Sequence, residues 1–169
     1  GGNVEIRGGR ANGRNSGDVG GSLLLDGGSA TGGMGGDVRI TSGYSIKSSS
    51  GELLLNSNDA GASGVSGSIS VTSGTSSYGN SGYISVVSGK ASGWKAGHIS
   101  MAAGEGNTGA GAYVSLSGGT TSDVAEGGYI SITTGKSSQS SSGSMDLKTA
   151  DALSGTSGEV HVDTGGNKA

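Results

Sequence analysis

A short apolar phrase, an aliphatic residue followed two places later by another, returns along this chain at an almost constant interval. It reads Val4/Ile6, Leu23/Leu25, Val38/Ile40, Leu53/Leu55, Ile69/Val71, Ile84/Val86, Ile99/Met101, Val114/Leu116, Ile130/Ile132, Met145/Leu147 and Val160/Val162. Successive phrases start 15 or 16 residues apart, except for 19 between the first two. All of these slots hold Val, Ile, Leu or Met, although only 30% of the chain is hydrophobic. A disordered linker keeps its composition but not its register, so such a period is the mark of a repeat architecture.

Spacing by two places the paired residues on one face of an extended segment, and Val and Ile favour that geometry. Seven residues after the glycine or other small residue that opens each unit comes a second small-residue column. It is made of Gly9, Gly28, Gly43, Gly74, Gly89, Gly104, Gly119, Gly135 and Gly165, with Asn58 and Ala150 as exceptions. Gly and Asn suit a corner with positive φ. Two places further on stand Ala30, Ser45, Ala60, Ser76, Ala91, Gly106, Thr121, Ser137 and Ala152, small enough for the opposite wall of a narrow coil. The pattern predicts an all-β fold, a single-stack parallel β-solenoid of about eleven 15–16-residue coils over residues 1–169, of either hand. At about 4.8 Å per coil it would be a rod roughly 50 Å long with the aliphatic pairs as its core ladder. Two aliphatic side chains cannot offset the entropy of ordering a whole coil, so stacking must supply the stability.

Composition excludes several function classes. With no Cys there is no disulfide framework, thiolate metal site or cysteine nucleophile. With no Pro and no strict Gly-X-Y period the 39 glycines do not spell collagen. Ten basic and 13 acidic residues with one Trp give no basic, aromatic surface for nucleic acid. No apolar run is long enough to span a membrane. The chain opens on Gly rather than Met and shows no signal peptide, so it is expected to be a mature or excised piece.

Chemical motifs are sparse. Gly104-Glu105-Gly106-Asn107-Thr108-Gly109 fits GxGxxG, but the element that follows holds Val114 in an extended phrase rather than a dinucleotide-binding helix. Gly32 to Asp37 resembles a calcium nonapeptide that no other unit repeats. His98 and His161 are too far apart in the repeat to share a metal. No GxSxG elbow and no long insertion suggests a catalytic cleft. The expectation is a protein that is not an enzyme and holds no cofactor or metal.

The outward positions carry the remaining signal. Ser70, Ser85, Ser100, Ser115 and Ser131 form one column, and Thr72, Val87, Ala102, Ser117 and Thr133 the next. Beside them lie Tyr83, His98, Tyr113 and Tyr129. Such a face suits a sugar polymer or a neighbouring filament, and equally a ladder that merely steadies stacked strands. Near the chain ends the same columns turn charged, as Glu5/Arg7, Asp146/Lys148 and His161/Asp163. Trp94 and Tyr78 fall in turns.

The phrase Ser-Gly-x-Ile-Ser-Val-x-Ser-Gly, at 66–74 and 81–89, resembles the Gly/Ser-rich repetitive surface proteins of algae and protist-like microbes, across nearly the whole chain. That resemblance implies a secreted, non-enzymatic, fibrous role at the cell surface. The coil length and small-residue face also resemble, in part, the β-solenoid antifreeze proteins of insects and grasses, with Ser70/Thr72 and Ser131/Thr133 nearest to their rank. Uncapped ends would recruit further strands. The expected partner is therefore the chain itself, end to end or laterally, with polysaccharide or ice as the alternative ligand.

Overall fold

The repeat survives in three dimensions, but the path of the chain between its units differs from that of a coil. The computed structural model describes residues 1–13, 15 and 17–166 and divides into two units, Gly1–Ser85 and Val86–Ala169. In the first, extended stretches carrying the aliphatic pairs are separated by bends at 31–33, 46–48, 62–63 and 77–79. In the second, the bends fall at 92–94, 107–110, 122–125, 138–140 and 153–155. One bend therefore occurs per repeat, between successive aliphatic phrases.

Among the described residues five loops, two of them in the second unit, close at their base through a hydrogen bond between glycines. In the first unit the amide of Gly21 donates to the Gly9 carbonyl (2.7 Å), Gly36 to Gly28 (2.8 Å) and Gly51 to Gly43 (2.8 Å). In the second, Gly128 donates to Gly119 (2.8 Å) and Gly143 to Gly135 (3.0 Å). These bonds join the end of one extended stretch to the start of the next, so the chain turns back on itself instead of advancing by one coil. The direction is fixed by the flanking residues. A Cβ on Gly27 would strike the carbonyl of Gly36, and a Cβ on Gly36 would lie 3.0 Å from the amide nitrogen of Gly28. The residue before the first glycine thus faces the residue after the second, an antiparallel approach. Gly118 meets Gly128 and Tyr129 in the same way.

This path overturns the parallel β-solenoid and the β-helix description. Among the described residues there is no helix and no strand, so no sheet forms and no eleven-coil stack exists. The reason lies in the connection. A coil carries the end of one strand away from the start of the next, whereas the glycine closures bring these two points together. Each closure is a single hydrogen bond, so a ladder does not propagate from it.

The expected core ladder is corrected with the fold, because its aliphatic columns enclose nothing and no described residue is buried. In the first unit Val4, Ile6, Leu23, Leu25, Val38, Ile40, Leu53, Leu55, Ile69, Val71 and Ile84 are exposed rather than core. In the second, Val86, Ile99, Met101, Val114, Leu116, Ile130, Ile132, Met145, Leu147, Val160 and Val162 are likewise exposed rather than core. The range runs from 49% at Ile99 to 89% at Val4. A column of this kind is covered only when the next coil stacks on it, and without a sheet no neighbouring stretch lies over either member of a pair.

The small-residue columns change meaning accordingly. Among the described residues positive φ is found at Gly79 (107°), Gly109 (77°) and Gly155 (90°), all inside bends, and not in the expected corner column of Gly74, Gly104 and Ala150. Other members of that column, Gly9, Gly28, Gly43, Gly119 and Gly135, instead supply carbonyl acceptors at loop bases. The column read as an opposite wall starts the bends. Ser45 Oγ accepts from the amides of Lys47 (3.3 Å) and Ser48 (3.0 Å), Ser137 Oγ from Gln139 (3.3 Å) and Ser140 (2.9 Å), and Thr121 Oγ1 from Asp123 (3.1 Å). A hydroxyl that takes up amides two and three residues ahead holds a local turn.

A register remains despite the absent core. From Leu23/Leu25 onward the first residue of every pair is less exposed than the second, with Ile99 at 49% against Met101 at 74%. The first member lies nearer the loop base, where the preceding stretch comes close. An exposed backbone hydrogen bond contributes about 0.5–1.5 kcal/mol, which slows amide exchange roughly 2- to 10-fold. Hydrogen exchange on the dilute chain should therefore show this modest protection at Gly36, Gly51, Gly128 and Gly143, lost at Gly36 in Gly27→Val. Protection of a thousandfold or more across the aliphatic stretches would mean a hydrogen-bonded ladder instead.

Candidate functional site

The residues expected to form an outward face all lie in the extended stretches, and none of them sits in a bend. In the first unit these are Ser70, Thr72, Tyr83 and Ser85; in the second, Val87, His98, Ser100, Ala102, Tyr113, Ser115, Ser117, Tyr129, Ser131 and Thr133. Each is exposed, and among the described residues no hydrogen bond joins any two of them within a unit. Among the described residues no sheet holds them at a 4.8 Å spacing.

Charge is organised at short range. Arg7 Nε donates to Glu5 Oε1 at 2.7 Å, Arg39 Nη2 pairs with Asp37 Oδ2 at 2.7 Å, and His161 Nε2 lies 2.7 Å from Asp163 Oδ2. All three pairs are two residues apart, on the same side of an extended stretch. They are solvent-exposed, and pairs of this kind stabilise little. Among the described residues no three His, Cys, Asp or Glu side chains converge as a metal site would require. The best-formed hollow, about 550 Å³, is lined only by the consecutive residues Tyr44, Ser45, Ile46 and Lys47 and lies open to solvent.

The structure singles out positions that the repeat alone did not. Except at Ala103, the residue just before the corner position lies against the opening glycine of the next unit in the units through Gly158. The Cβ of Ser42 lies 3.5 Å from where a Cβ on Gly51 would be, that of Ser57 3.5 Å from Gly67, and that of Thr134 3.7 Å from Gly143. Ser57, Ser88, Thr134 and Thr149 are consequently half-buried, among the least exposed side chains of the described residues. Where this residue is itself glycine, as at 8, 27 and 118, the opposing stretch also carries two glycines, at 20–21, 35–36 and 127–128. The chain thus matches Gly-Gly with Gly-Gly and a hydroxyl with a single glycine. That internal matching was present in the sequence, and it was the signal that could have located the closures.

A second set concerns the loops. Val65, Tyr78, Trp94, Val124 and Leu153 lie in or beside bends, and each is almost wholly in solvent. Each of these loops thus presents one large apolar side chain to water.

Comparison with protein families, curated proteins and solved structures found no match to this chain. Among the described residues no helix is long and apolar enough to cross a membrane. Trp94, the sole tryptophan, should emit like free tryptophan in water and be fully open to acrylamide quenching in dilute solution. A blue-shifted, shielded emission from the monomer would contradict its position at the loop tip.

Proposed function

We propose that this chain is a non-catalytic structural protein of the cell exterior that works by associating with copies of itself. The observation that carries this is the exposure of a regular apolar array. From Leu23 to Val162 the aliphatic pairs recur every 15 or 16 residues, and none is buried within the chain. Water-exposed aliphatic surface is unfavourable at about 25 cal/mol per Å². A second copy carries the same array at the same interval, so it can cover many pairs at once in matching register.

The area is sufficient. An aliphatic side chain offers roughly 60–120 Å², so covering about half of the array on each of two copies would bury apolar surface on the scale of ~1,200–2,000 Å² typical of stable interfaces. A net charge of -3 on 169 residues does little to keep copies apart. Unpaired backbone amides and carbonyls along the extended stretches add a further means of joining. The placement outside the cell rests on the resemblance of the Ser-Gly-x-Ile-Ser-Val-x-Ser-Gly phrases to Gly/Ser-rich surface repeats.

Sedimentation velocity over a range of concentrations is the test. The chain is expected to pass from monomer to large species as concentration rises. Replacing Ile99 and Val114 by Ser removes two members of the array, each contributing about 1.5–3 kcal/mol when covered, and should raise the concentration needed by tenfold or more. A monomer that persists at the highest soluble concentration would refute self-association.

A further inference from the structure

The apolar loop tips of the second unit are alike in exposure but differ in charge. The loop from Gly89 to Gly97 carries Lys90, Trp94 and Lys95 and no acid. Its ends are drawn together, with Ser88 Cβ 3.9 Å from a Cβ on Gly97. The loop from Gly119 to Gly128 carries Asp123, Val124 and Glu126 and no base, and closes through the Gly128 to Gly119 hydrogen bond. Trp94 and Val124 are almost wholly exposed, and among the described residues none of the four charges takes part in an ion pair. The Asp123 carboxylate accepts only from the neighbouring Val124 amide, at 2.8 Å. One loop thus presents an aromatic between two cations, and the other an aliphatic among two carboxylates.

We propose that these two loops are a plug and its receptor: the Lys90–Trp94–Lys95 loop of one copy docks on the Asp123–Val124–Glu126 loop of another. The inference rests on the self-associating function proposed above and names its polar contact surface. Opposite charge selects and orients the partner loop, and burying Trp94 against Val124 supplies the apolar part of the contact. The two surfaces are different patches of the same molecule, so one such contact leaves a basic loop free on one copy and an acidic loop free on the other, open to a further copy or to the same partner by two-fold symmetry. The remaining apolar tip, Leu153, has Asp151 beside it but also Lys148 at the loop base, and lacks the clear excess of acid.

Charge reversal tests the pairing, with sedimentation and Trp94 emission as the readouts. Lys90→Glu/Lys95→Glu places acid on both loops, and Asp123→Lys/Glu126→Lys places base on both. Each variant alone should require at least tenfold more protein to assemble than the unaltered chain. An equimolar mixture of the two should recover assembly, because each altered loop now finds its opposite on the other variant. In that mixture, and in the unaltered assembly, Trp94 emission should shift to the blue. Raising salt to about 0.5 M should weaken both assemblies by screening. If both variants assemble as readily as the unaltered chain, or if the mixture fails to recover, the loop pairing is overturned while self-association stands. If the unaltered chain never assembles, the underlying function is refuted as well.

Discussion

A single backbone hydrogen bond between two glycines, closing the loops at Gly9/Gly21, Gly28/Gly36, Gly43/Gly51, Gly119/Gly128 and Gly135/Gly143, is the interaction on which the order of this chain depends. With no buried side chain among the described residues, there is no core to set the path. What sets it is where the backbone can approach itself. At Gly27 and Gly36, and again at Gly118 and Gly128, the two stretches come so near that a methyl group would collide with a carbonyl. Elsewhere a Ser or Thr fills the space against one glycine. The chain reverses at these points because its smallest residues permit the contact, and it remains extended between them.

The interval, the aliphatic pairs and the presence of one turn per unit were all legible in the sequence. What was not legible is the direction in which each turn sends the chain. A 15-residue period with paired aliphatics fits a coil that advances and equally a loop that returns, since both alternate an extended stretch with a turn. The discriminating signal was the matching of Gly8-Gly9 with Gly20-Gly21 and of Gly27-Gly28 with Gly35-Gly36, which requires two stretches to meet end against start. A solenoid has no use for that match. The outward face at Tyr83, Tyr113 and Tyr129 shared the same dependence, because its spacing came from a sheet that the glycine closures do not build.

The apolar residues therefore serve a different purpose from the one their periodicity suggests. In a solenoid Ile99 and Val114 would cover one another; here each remains in water, together with Trp94 and Val124 at the loop tips. In the self-associating function proposed above, the array that the chain leaves exposed is covered between copies, with the repeat interval as their register. In the proposed assembly the charged loops add selectivity, since the basic tip of one copy is matched by the acidic tip of another.

Isotope-filtered methyl contacts, measured between differently labelled copies, address the central claim most directly. If the columns are covered between chains, Ile, Leu, Val and Met methyl contacts will appear across copies, and only above the concentration at which assembly begins. In dilute monomer, Ile69 and Ile84 of the first unit, or Ile99 and Val114 of the second, will show none with each other. Strong contacts within those pairs in the monomer would mean that the chain builds its own core, and would contradict the account.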